Sequence, residues 1–119
     1  MPVSKLYKGG CHCGRVRYEA TVDLDNTMKC NCSICSKRNW ILTFAGADHF
    51  KLTSGDAALT DYQFGKKNIH HLFCTTCGTQ SFGRGTAKDG SSMYAVNVNC
   101  LDDVDVSRLI PRAVDGKSL

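Results

Sequence analysis

The sequence predicts a small all-β domain of short antiparallel strands. Apolar and polar residues alternate with a period of two in some short runs, and glycine closes several others. Eight cysteines in 119 residues add a second means of stabilisation, because bound metal supplements a thin core. The length indicates one domain, residues 1–119.

The elements follow in order. Residues 15–21, RVRYEAT, alternate with Val16, Tyr18 and Ala20 on one face, the pattern of a half-buried strand. Residues 40–46, WILTFAG, are apolar and rich in strand formers. Shorter strands are expected at 49–55 and 59–65, each ending in glycine. Residues 68–74 and 79–85 flank CTTCG as the arms of a hairpin. Residues 91–100 alternate again, with Tyr94, Val96 and Val98 aligned. Short helices are expected at 33–39 and 101–109, and the final residues, 114–119, are expected to fray.

Composition excludes several classes. No apolar run approaches the roughly 20 residues of a membrane helix. The start, MPVSKLYKGG, has no apolar export core, so the expected location is the cytoplasm. The formal charge of +4 counts the thiols as neutral. A tetrathiolate zinc would remove two of those charges and a trithiolate zinc one, which argues against a nucleic-acid partner. The oligomeric state is left open.

The cysteines are spaced for metal rather than for disulfides. Cys11 and Cys13 lie two apart, so on an extended chain both thiols point the same way, and Gly14 supplies a turn. Cys74 and Cys77 have the two-residue gap of a zinc knuckle, followed by Gly78. Two such pairs would complete a four-sulfur tetrahedron. Cys30, Cys32 and Cys35 combine both spacings in one segment and can meet a metal unaided. Three ligands and one open position are the usual arrangement of a catalytic zinc. Spacing alone leaves alternatives. Cys100, His49, His70 or His71 would close the triplet as a structural site, and arithmetic equally allows Cys11 and Cys13 to pair with the triplet. His70 and His71 are adjacent and face opposite sides of a strand, so at most one approaches a given metal. Cys100 alone also reads as a small buried hydrophobe, and His12 as a supporting or surface group.

GGCHCGRVRYEA, CNCSIC, HHLFCTTCGTQSF and YAVNVNCLDD together resemble the glutathione-dependent formaldehyde-activating enzyme (Gfa) family, which includes centromere protein V. The resemblance spans residues 9–103 and rests on the order pair, triplet, pair. It implies a zinc-stabilised β-tent fold. It also implies that Cys11, Cys13, Cys74 and Cys77 share a structural zinc, while Cys30, Cys32 and Cys35 hold a second, catalytic one. The implied activity is a carbon–sulfur lyase reaction run in the bond-forming direction, joining glutathione and formaldehyde as S-(hydroxymethyl)glutathione. A zinc on three thiolates suits activation of the incoming thiol better than polarisation of the aldehyde, because those ligands already leave the site negative. Lys37 and Arg38, directly after the triplet, are the candidates to bind the carboxylates of glutathione, and Trp40 and Phe44 to wall a pocket. Asn97 carries no assigned role. Another aldehyde, thiol or carbon–sulfur substrate is equally open. So are two other classes: a zinc-bearing interaction module, and a sensor whose triplet releases zinc on oxidation.

Overall fold

A computed structural model describes residues 4–65, 67–87 and 89–118. The described residues form ten strands and one short α-helix. In order they are β1 (Lys5–Gly10), β2 (Arg17–Val22), β3 (Met28–Cys30), α1 (Ser33–Arg38), β4 (Leu42–Gly46), β5 (Phe50–Ser54), β6 (Leu59–Tyr62), β7 (His70–Cys74), β8 (Phe82–Thr86), β9 (Ser92–Asn97) and β10 (Arg112–Val114). They make two sheets. One has the order β1-β2-β5, the other β10-β3-β4-β9-β8-β7-β6. All pairings are antiparallel except that of β10 with β3, which is parallel. The expectation of an all-β fold therefore holds, with that one parallel pair as its exception. Among the described residues no helix is long and apolar enough to cross a membrane.

β2 realises the alternation read from the sequence. Tyr18, Ala20 and Val22 are buried, and Arg17, Glu19 and Thr21 between them are only partly covered. Its partner β1 carries no such pattern, yet pairs with it along all six residues. Tyr18 belongs to an aromatic cluster with Phe50, Phe82 and Tyr94, in which the Phe50 and Tyr94 rings stack at 4.2 Å. Val16, Val96, Val98 and Leu101 complete this core between the sheets.

Two expectations need correction. Residues 101–109 do not form a helix beyond one 3₁₀ turn at Val106–Arg108. Asp105 accepts hydrogen bonds from the Ser107 N–H and hydroxyl, a local arrangement that competes with helical bonding. Leu101 instead bridges Gly9. Nor do the last residues fray: β10 docks on β3, and a 3₁₀ turn follows at Gly116–Ser118. Leu119 lies outside the described residues.

The long sheet has two working faces, set by the strand period of two. Ala45, Leu72, Phe82, Tyr94 and Val96 pack toward the core. Leu42, Phe44, His71, Met93 and Ala95 line a cleft on the opposite side. The sequence thus assigns alternate residues of the same strands to stability and to a cavity.

Tyr18 ties the two layers together. Its hydroxyl donates to the Ser81 carbonyl at 2.8 Å, and the residue is 1% exposed. The same carbonyl also accepts from the Asn97 N–H at 3.1 Å. Tyr18→Phe therefore leaves no orphaned carbonyl and is expected to cost only about 1 kcal/mol. Tyr18→Ala is expected to cost about 3–5 kcal/mol. Urea titration reads both as shifts of midpoint at an unchanged slope.

Candidate metal centres and the adjoining cleft

Two groups of thiols converge. The Sγ atoms of Cys11, Cys13, Cys74 and Cys77 all lie within 4.8 Å of one another, and so do those of Cys30, Cys32 and Cys35. None of the eight cysteines is in a disulfide.

The four-sulfur group joins the loop after β1 to the end of β7. Cys11 and Cys13 are brought together because the Cys11 N–H bonds the Val16 carbonyl at 3.0 Å and closes the loop. At the other end, Gly78 (φ +78°) lets its N–H reach back to the Cys74 carbonyl at 2.8 Å, a turn that L side chains resist. Cys13 Sγ lies 3.6 Å from both Cys11 Sγ and Cys74 Sγ. Zinc–sulfur bonds of about 2.3 Å in a tetrahedron require sulfurs about 3.8 Å apart, so the donor set fits zinc. The surrounding amides favour thiolates. The Val16 N–H donates to Cys11 Sγ at 3.3 Å, and Cys77 is pulled down to about 5, chiefly by the backbone N–H of Thr79.

The three-sulfur group is built on β3 and the start of α1. The Cys32 N–H donates to Cys30 Sγ at 3.4 Å. Burial opposes ionisation of Cys32, but the Cys35 amide and neighbouring groups outweigh it and lower its pKa. Cys35, deeper, is pushed up to about 12, chiefly by burial, although the Trp40 indole favours its thiolate. That indole N–H has no hydrogen-bond partner at normal distance among the described residues. Asn39, in the left-handed region at φ 49°, ends α1 and directs the chain to Trp40, which is 4% exposed and packs on Cys35 and Leu42.

Among the described residues no fourth Cys, His, Asp or Glu ligand atom joins the triplet. Cys100 is partly buried and stands outside both groups. His49 and His12 are exposed, and His70 pairs with Asp61 at 2.6 Å. The triplet instead opens onto a cleft of about 530 Å³. Trp40 and Phe44 line it, as the sequence reading anticipated. Lys37 and Arg38 do not; they border a separate depression with Tyr62 and Phe64.

Two features go beyond the sequence reading. His71 is 6% exposed, lines the cleft, and has an unpartnered Nδ1. Its ring stacks on Phe64 at 5.4 Å, and burial lowers its pKa, so it is neutral at pH 7. The sequence named it as a possible fourth ligand of the triplet, which it does not join among the described residues, and the doublet HH in a strand placed one histidine on each face. The second feature is the tail. Asn31, between the first two cysteines of the triplet, donates from its side chain to Asp115 at 2.9 Å and accepts from the Lys117 N–H at 2.9 Å. Gly116 then lies so close that a Cβ there would fall 2.3 Å from Cys30 Sγ. Nothing in the local sequence of either segment announces this pairing. Asn97, by contrast, is structural: it caps the 3₁₀ turn at Val98–Cys100 and donates to the Gln80 carbonyl.

Comparison with known proteins gives two findings. A crystal structure of a Rhodobacter sphaeroides protein superposes with a TM-score of 0.79 at 32% identity, covering 89% of this chain and 97% of that one. The family model described as glutathione-dependent formaldehyde-activating enzyme matches residues 6–114. With the match running through both thiol groups, the chain belongs to the glutathione-dependent formaldehyde-activating enzyme family.

Proposed function

We propose that this protein joins a thiol to an aldehyde at the triplet, as a zinc-dependent carbon–sulfur lyase acting in the bond-forming direction. The family's named pair, glutathione and formaldehyde, would give S-(hydroxymethyl)glutathione. One observation supports this most: three sulfurs share a site with no fourth described ligand, and that site opens into a cleft. The reading assigns one zinc to Cys11, Cys13, Cys74 and Cys77 as a structural clamp. It assigns a second to Cys30, Cys32 and Cys35, where the metal would hold an incoming thiol as its thiolate at neutral pH.

The protein's own residues supply the rest. Formation of the sulfur–carbon bond breaks the carbonyl π bond, and one proton passes from sulfur to oxygen. His71, neutral and lining the cleft, is assigned to take that proton and return it to the adduct oxygen. The apolar walls around Trp40 and Leu42 exclude water that would compete for the aldehyde. For a thiol as polar as glutathione, Lys37 and Arg38 are the cations available, from the depression beside the cleft. The cytoplasm expected from the sequence would supply reduced thiols.

Three variants test the assignment. Cys32→Ser is expected to lower zinc content from two per chain to one and abolish adduct formation, with the unfolding midpoint little changed. Adduct formation at the wild-type rate would overturn the role of the triplet. Cys74→Ser is expected to remove the cooperative unfolding transition, since it breaks a clamp that contributes to folding itself. His71→Ala is expected to slow turnover about 100-fold at unchanged zinc content. Metal analysis, thermal melts and NMR detection of the adduct from ¹³C-formaldehyde provide the readings.

A further inference from the structure

The cleft carries information about the thiol itself. Its walls include Met28, Trp40, Leu42, Phe44, Ile69 and Met93. Phe44 and Ile69 remain 45% and 52% exposed, two large apolar groups left open to water beside the same cleft. The cleft volume of about 530 Å³ is in the usual range for a small-molecule site.

The cleft wall is mostly apolar among the described residues. Among the described residues Arg84 is the one Lys, Arg, Asp or Glu on the cleft wall. The alternation of β8 assigns its side chain to the opposite face, where it borders a second hollow with Phe50, Leu72 and Tyr94. Gly83 and Gly85 take the cleft-facing positions on either side of it and leave the space open. His71 is neutral. Lys37 and Arg38 border the other depression, although Arg38 is near enough to act electrostatically on Cys35 and His71. Glutathione carries two carboxylates and one ammonium, and the described walls, apolar over most of their area, match an apolar body better than those charges.

We propose that the preferred thiol of this protein is a compact one with an uncharged, apolar body of about benzyl size, seated between Trp40, Phe44 and Met93 with its sulfur at the triplet. The assignment rests on the thiol–aldehyde reading and names its substrate class. The thiol enters with its hydrophobic part covering Phe44 and Ile69, and the aldehyde follows into the remaining space. Gly85 controls the room available: a Cβ there would have only an ordinary contact, 3.8 Å from Ile69, so a larger residue extends into the cleft without striking the backbone.

Trp40, the one tryptophan of the sequence, reports occupancy directly. Zinc-loaded protein is titrated with benzyl mercaptan and, separately, with glutathione, following Trp40 fluorescence. Benzyl mercaptan is expected to bind at least about tenfold more tightly, and Gly85→Val to weaken it about tenfold while leaving glutathione nearly unaffected. Equal affinity, or a preference for glutathione, overturns the proposal, and this comparison needs no variant to fold. Adduct formation with ¹³C-formaldehyde in the same samples separates the two readings. Tight benzyl mercaptan binding with no adduct from either thiol supports the assignment of the cleft and overturns the reaction. Faster adduct formation with glutathione overturns the assignment of the cleft and leaves the reaction standing.

Discussion

The convergence of Cys11, Cys13, Cys74 and Cys77 is the constraint on which the rest depends. It fastens the loop after β1, in the three-stranded sheet, to the end of β7, in the seven-stranded one, across 61 residues of chain from Cys13 to Cys74. The two sheets also meet through an aromatic cluster, branched aliphatic residues and the Tyr18 hydrogen bond to the Ser81 carbonyl. A core that small leaves little margin against conformational entropy. A metal held at the junction would fix the sheet-to-sheet geometry directly, and with it the orientation of the face that carries the cleft.

That face shows how a thin protein accommodates a cavity. Along β4, β7, β8 and β9 one set of alternate residues fills the core and the other set lines the cleft. The separation is not complete, because Leu42 lines the cleft and is also buried against Trp40 and Cys35. The glycines of β8 are the clearest instance of the alternation. In alternation with them, Phe82 packs into the core and Arg84 borders the far side, while Gly83 and Gly85 leave the cleft open.

Much of this was legible in the sequence, and the remainder was not, for identifiable reasons. β2 could be read because half its residues are buried in strict alternation. β1 could not, because KLYKGG carries no pattern and its strand character comes from pairing with β2. The three-residue strands β3 and β10 stabilise each other and are too short for periodicity. The expected helix at 101–109 failed because helical spacing was weighed without the local competition from Asp105. Cysteine spacing indicated both thiol groups, since ligands close in sequence are necessarily close in space. His71 is three residues from Cys74 but turns to the other group's cleft, a relation that only the sheet topology determines.

The clasp of the tail over the triplet has a consequence for biosynthesis. Asn31 finds its partner Asp115 84 residues further along the chain, and Gly116 sits against Cys30 only once that strap is laid down. A nascent chain emerges from its amino end. All four sulfurs of the clamp have been made when Cys77 is translated, whereas the surroundings of Cys30 wait for the codons of the strap. During translation the reactive thiols are thus available to the cell well before they are sheltered, and the two groups mature in an order set by the gene.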